Sequence, residues 1–147
     1  MPAAQTASAD DLIAIRSLLE GAGLPTSDLP SARPEFLAIR EGGVVLAAGA
    51  LQRFGSCALL RSVVVSEDHR GAGLGGAIVR ELERRAREAS IGRLILLTQT
   101  AAQFFARRGY RVIERSAAPA DMQQSEAFRS LCPGSAICMA KRLDGLA

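Results

Sequence analysis

One short stretch concentrates the chemistry. Arg70-Gly71-Ala72-Gly73-Leu74-Gly75-Gly76 places four glycines in six positions directly after a fixed positive charge. Glycine lets a backbone approach a ligand closely and adopt dihedrals closed to other residues. Where such a loop follows a strand and opens a helix, its N–H groups and the helix dipole form an anion site suited to a pyrophosphate. Arg70 can add a direct charge. The stretch contains a formal GxGxxG at Gly71, Gly73 and Gly76. A dinucleotide site, however, also wants an acidic residue at the end of the next strand. That strand ends Leu96-Leu97-Thr98-Gln99 and carries none. No Gly-Lys-Ser/Thr follows the loop, so it is not a kinase-type P-loop.

The loop needs a strand before it and a helix after it. Cys57 to Val65 reads as that strand. It ends in Val63-Val64-Val65, a β-branched run that predicts burial on both faces. Leu74, Ile78, Leu82 and Ala86 then share one helical face, with Arg80, Arg84, Arg85 and Arg87 outward. Gly92 stops this helix. Arg93 to Leu97 is the next strand, so the two strands lie parallel across a right-handed crossover.

Upstream, Ser8 precedes Asp11 by three, a capping-box signature. Leu12, Ile15, Leu18 and Leu19 fall on one face of the helix that follows. Gly21, Gly23 and Pro25 end it, and a turn or short helix covers Thr26 to Leu29. Glu35–Arg40 and Val44–Gln52 form a hairpin around Glu41-Gly42-Gly43. Downstream come a short helix over Ala101–Arg108, a strand over Tyr110–Glu114, a helical Ser125–Leu131 and a last strand over Ala136–Arg142. The fold class is α/β of the mixed α+β kind. It has a central mixed sheet of six to seven strands flanked by about four helices, in one domain spanning 1–147.

The 147 residues suffice for one core. Apolar residues make up 48% and charged residues 22%, an ordinary globular balance that argues against disorder. No apolar run reaches the roughly 20 residues a spanning helix needs, so no membrane role is expected. Met1 to Asp11 lack a basic and an apolar region, so no signal peptide is expected. The net charge is +3, but aromatics are only 4% and acids are mixed among the arginines. Nucleic-acid binding is therefore not expected. Cys57, Cys132 and Cys138 form no CxxC or zinc spacing, and His69 is the only histidine. The expectation is reduced thiols in the cytoplasm and no metal.

The loop also fits Arg/Gln-x-x-Gly-x-Gly/Ala, as Arg70 through Gly75. With the strand Leu60–Val65 before it, the chain resembles the Gcn5-related N-acetyltransferases (GNAT family). Ala101-Ala102-Gln103-Phe104-Phe105-Ala106-Arg107-Arg108-Gly109-Tyr110 resembles that family's A-x-x-F-Y-x-x-x-G-F helix and strand. The resemblance covers about residues 8 to 142. It implies a GNAT fold, acetyl-CoA as co-substrate and a small-molecule amine as acceptor. By the same resemblance, Val63, Val64, Val65, Arg70, Gly71, Ala72, Gly73, Leu74, Gly75, Gly76 and Phe105 hold the cofactor. Gly23 to Leu29, Phe104 to Arg107, Ser130 to Ala136 and Cys138-Met139 are similar to the small acetyltransferases of arsenic-resistance operons. That finer likeness implies an amino-acid-like or organoarsenical acceptor.

Acetyl transfer needs a deprotonated amine, a polarised carbonyl and a stabilised leaving thiolate. The resemblance gives the polarising role to the Val65 backbone N–H, as an oxyanion-hole donor. It also places a proton-donating Tyr where this chain has Phe105, and a phenyl ring cannot donate. The family's Asn is Thr98 here. General acid and base are thus unassigned. Glu35 and Glu41 are candidates beside the acceptor cleft. Arg61, inside the strand, could meet a substrate carboxylate or a buried acid. His69 is expected to face solvent. The competing reading is an acyl-CoA-binding or metalloid-sensing module without efficient turnover. Exposed edge strands are compatible with a homodimer.

Overall fold

Ser8 caps the first helix as its spacing predicts. Its side chain accepts from the Asp11 amide at 3.1 Å, and the Asp11 carboxylate accepts from the Ser8 amide at 2.8 Å. Helix α1 then runs Ala9–Gly21 and buries Ile15 and Leu19 almost completely. Leu12, expected on the same face, is 44% exposed. In that first turn the buried position belongs to Asp11, whose carboxylate lies 3.6 Å from Arg40. The capping box thus takes the place of an apolar contact.

The computed structural model describes residues 3–131 and 134–144. Seven strands form the sheet: β1 (Gln5–Thr6), β2 (Glu35–Glu41), β3 (Val44–Phe54), β4 (Cys57–Val65), β5 (Arg93–Thr98), β6 (Arg111–Val112) and β7 (Ile137–Arg142). Their order is β1-β2-β3-β4-β5-β7-β6. The further helices are α2 (Leu29–Ala32), α3 (Leu74–Glu88), α4 (Ala102–Ala106) and α5 (Ala120–Gln123). A wide helical turn at Ala127–Leu131 replaces the helix expected over Ser125–Leu131. β1 carries no sequence signal because it is two exposed residues on an edge. β6 is shorter than expected, because only Arg111 and Val112 register with β7. No helix among the described residues is long and apolar enough to cross a membrane.

The chain gathers into two compact units. One comprises Met1–Gln52 with Leu60–Arg85, the other Arg53–Leu59 with Ala86–Ala147. In the first unit β2 and β3 pair antiparallel from Glu35↔Leu51 to Glu41↔Val44, with an irregularity at Ile39/Arg40. Ile15 and Leu19 pack on Phe36, Ala38, Val45, Ala48, Ala50 and Val64. Arg85 of α3 donates to the Thr6 hydroxyl at 2.7 Å and so ties down β1. Hydrogen bonds from Arg84, then Arg85, hold the Glu81 carboxyl down to about 2 from its ordinary 4.5. In the second unit Cys57–Leu59 pair parallel with Arg93–Ile95, as the crossover predicts. β7 pairs antiparallel with the whole of β5. Cys57, Ile95, Met122, Phe128 and Cys138 form its core.

α3 approaches β3 closely because β3 is built from small residues. A Cβ placed on Gly49 would lie 2.5 Å from Ile78 Cγ2 and 3.1 Å from Leu82 Cδ1. The glycine is thus required by space, since its φ is ordinary. Gly49→Ala should cost about 1–3 kcal/mol in urea unfolding, the range for overpacked cores. Combined with Ile78→Ala, the loss should fall well short of the sum of the two single changes. Strict additivity would show that α3 does not rest on this glycine.

Candidate functional site

The glycine loop forms because β4 ends in a fixed way. The Ser66 amide donates to the Leu46 carbonyl at 2.7 Å. One 3₁₀ turn follows over Glu67–His69. Gly71 and Gly73 then adopt φ of 87° and 82°, a region that favours glycine. A Cβ at either would meet nothing within 4 Å, so the requirement is one of backbone and not of room. The first intrahelical bond of α3 runs from the Ala77 amide to the Gly73 carbonyl at 3.1 Å. The amides of Leu74, Gly75 and Gly76 therefore precede any helical acceptor, as at every helix start. Gly71, Ala72 and Gly73 are exposed, whereas Leu74 to Gly76 are buried. The result is an open loop above a row of N–H donors, with positive dipole character. Arg70 folds back, its Nε donating to the Val65 carbonyl at 3.3 Å. His69 is half-buried rather than facing solvent, and its Nδ1 has no hydrogen-bond partner among the described residues.

β4 departs from expectation just before the loop. The enclosed stretch is Ala58, Leu59 and Leu60, at 0–2% exposure, and of the three valines only Val64 is buried. The cause is Ser62, whose φ of 59° lies in the left-handed region. A residue of this kind inside a strand breaks the two-residue alternation and re-aims the amides beyond it. Such a conformation costs on the order of 1–3 kcal/mol for a non-glycine. Nothing in the local sequence marks Ser62 as such a residue.

Arg61 lies next to it. Its guanidinium binds both oxygens of Asp28 at 2.6 Å each and donates to Gln52 Oε1 at 2.9 Å. The two side chains are 9% and 2% exposed. This is a buried, bidentate pair of the strongest geometry. Of the two partners open to Arg61 on sequence grounds, the described structure supplies the buried acid. Asp28 and Gln52 were not singled out from sequence, since an acid before Leu29-Pro30 reads as an ordinary helix cap. Glu35 is exposed and pairs with Leu51, beside Gln52, so it stands at the same end of the sheet as Arg61. Glu41 ends the same strand, about 20 Å away at 3.3 Å per residue. The two acids therefore do not converge.

In the second unit the Thr98 hydroxyl accepts from the Ala101 amide at 2.9 Å and sets the start of α4. Phe105 is buried, edge-on to Phe104 at 4.9 Å and to Tyr110 at 5.5 Å. Tyr110 is a core residue, 2% exposed, with the Lys141 ammonium 5.6 Å above its ring. Cys57 and Cys138 are buried free thiols, and burial pushes the Cys138 thiol up. Cys132 lies outside the described residues. Among the described residues no group of three or more His, Cys, Asp or Glu converges.

Comparison with known proteins identifies a family. Residues 12–110 match the model of the "Acetyltransferase (GNAT) family". A Bacillus subtilis protein described as an uncharacterized N-acetyltransferase, YjcF, is 32% identical over 80 residues. That match spans 54% of this chain and 57% of the relative. Rv2747 of Mycobacterium tuberculosis, solved with CoA and NLQ, superposes with a TM-score of 0.82 at 28% identity, covering 96% of this chain and 99% of that one. N-acetylglutamate synthase of Neisseria gonorrhoeae, solved with CoA and N-acetyl-glutamate, gives a TM-score of 0.84 at 21% identity. It covers 97% of this chain, which spans only 35% of that protein.

The Asp28–Arg61 pair generates a direct test. Asp28→Ala strands a buried guanidinium and should cost about 3–5 kcal/mol in chemical unfolding. The double change Asp28→Leu with Arg61→Met removes both charges and should recover most of that loss. A single-variant cost below about 1 kcal/mol would show that the pair is solvated in practice.

Proposed function

Because the chain belongs to the acetyltransferase (GNAT) family, we propose that it is an acetyl-CoA-dependent N-acetyltransferase acting on the amine of a small molecule. The observation that carries this reading is the open loop Arg70–Gly76, with glycines at positive φ above the first amides of α3. The residues fit the cofactor. The N–H groups of Leu74, Gly75 and Gly76 are free for a pyrophosphate, and side-chain-free Gly71 and Gly73 leave room for it. Acetyl-CoA supplies an activated acetyl thioester.

In this reading Arg70, Gly71, Ala72, Gly73 and the α3 amides hold the pyrophosphate. Val63 and Val64 line the cofactor's course, and the Val65 N–H polarises the acetyl carbonyl. The left-handed Ser62 supports that role, because it fixes the direction of the amides that follow. Arg61 would act on the acceptor side by holding Asp28 in place, with Glu35 at the same end of the sheet. Phe105 enters on the family resemblance as an apolar ring and not as an acid. Much of the rate would come from holding the two substrates together. We take 1–147 as one catalytic domain in the cytoplasm, compatible with a homodimer.

The acceptor class we propose is an amino-acid-like amine. Support comes from the Mycobacterium tuberculosis relative, solved with CoA and NLQ. The likeness of Gly23–Leu29 and Phe104–Arg107 to arsenic-operon acetyltransferases extends this class to organoarsenical amino-acid analogues.

Acetyl-CoA at about 100 times its Kd should stabilise the protein by roughly 2.7 kcal/mol and raise its Tm by about 5–10 °C. Gly73→Val places a β-branched residue at a φ of 82° in the pyrophosphate cradle. It should fold with a lowered Tm and lose the shift. A shift with NADH and none with acetyl-CoA would overturn the reading. Free-thiol release should then be measured across amines that include amino acids and their arsenic and phosphorus analogues. A melting shift with no thiol release from any of them would favour a binding module without turnover.

A further inference from the structure

A separate group of residues lines an open surface cavity of about 580 Å³ within the second unit. Its basic wall is made by Arg87 near the end of α3, Arg93 at the start of β5 and Arg142 at the end of β7. Among the described residues Asp144 is the one carboxylate on its lining, and Cys57 with Ile91 and Leu143 supplies apolar surface. None of these residues belongs to the glycine loop.

The arrangement of charge is unusual. Arg93 and Arg142 stand directly opposite each other in the antiparallel β5–β7 ladder. Like charges at such a position destabilise a sheet. The fold does little to neutralise them. The Arg142–Asp144 contact is 3.5 Å long, with side chains 74% and 61% exposed, so it is weak and screened. Arg93 gives one N–H to the Ala117 carbonyl at 3.3 Å, which leaves most of its five donors. Arg87 has no hydrogen bond or ion pair among the described residues. Meanwhile Asp144 is pinned to one side. Its amide and that of Leu143 donate to the Gly92 carbonyl at 3.3 and 2.8 Å, and a Cβ on Gly92 would lie 2.9 Å from its carboxylate. A solvated face would separate three guanidiniums, whereas here three elements bring them to one concavity with apolar surface.

We infer that this cavity is a binding site for a small organic polyanion. Two or more negative charges would meet Arg87, Arg93 and Arg142, and a short carbon body would cover Cys57, Ile91 and Leu143. The volume lies within the range of small-molecule pockets. Planar guanidiniums bind carboxylate and phosphate oxygens in the same forked manner. The shared chemistry is therefore a multiply charged oxyanion, and the choice between carboxylate and phosphate is left to the test.

Isothermal titration at low salt with citrate and, separately, with ribose 5-phosphate tests the site. At least one probe should bind. Arg87→Ala and Arg142→Ala should each weaken it by about 10-fold or more, the loss expected of a charge-assisted contact. Arg80→Ala, exposed on the same helix and outside the cavity, should leave binding unchanged. Without ligand, Arg142→Thr should raise Tm, by up to roughly 4 °C, as the cross-strand repulsion is relieved. The inference fails if neither probe binds more tightly than about 10 mM. It fails equally if binding survives in both Arg87→Ala and Arg142→Ala, because an anion held elsewhere would do that.

Discussion

The backbone of β4 between Arg61 and Val65 is the constraint on which the first unit depends. Two independent devices act there. The Asp28–Arg61–Gln52 cluster fixes one residue by its side chain, and the left-handed φ of Ser62 fixes the next by its main chain. Burying two charges costs several kcal/mol per ion before attraction returns any of it. Such a pair is therefore weak evidence for stability and better evidence for specificity. Here it selects one register of β4 and one position for the chain around Asp28. A strained residue persists only where its surroundings over-determine it, and a doubly bonded guanidinium beside it supplies that over-determination.

The glycine loop was legible because its chemistry is local. Positive φ at Gly71 and Gly73 and the start of α3 follow from residue types within seven positions. The capping box at Ser8 and Asp11 was legible for the same reason. What escaped reading joins residues far apart in sequence. Asp28 and Arg61 are 33 residues apart, and nothing near either announces the other. The burial of Val63 to Val65 on both faces, expected from a β-branched run, is not met, because Ser62 re-aims the strand just before them. Leu12 failed because a polar cap took the position its periodicity claimed. Gly49 reads as an ordinary small residue in a strand until Ile78 is placed 2.5 Å from its missing Cβ.

Family and substrate reside at different levels of this structure. A pyrophosphate cradle can be built from main chain, so its signature survives in residue types that tolerate little change. Recognition of an acceptor amine is built from side chains on several elements, and homologous folds can redraw it freely. Phe105 stands where the family resemblance leads one to expect a tyrosine. Its ring sits edge-on between Phe104 and Tyr110, and that packing asks only for an aromatic body.

Tyr110 has a consequence of another kind. The chain contains no tryptophan and this single tyrosine. Its emission and near-ultraviolet dichroism therefore arise chiefly from one buried ring, 5.5 Å from Phe105 and beneath the Lys141 ammonium. The protein thus carries a native optical probe in its second unit, at a defined position and without tryptophan to mask its emission. Melting of that unit could be followed through Tyr110 and set against the loss of helical dichroism. Divergence between the two signals would resolve whether the two units unfold together.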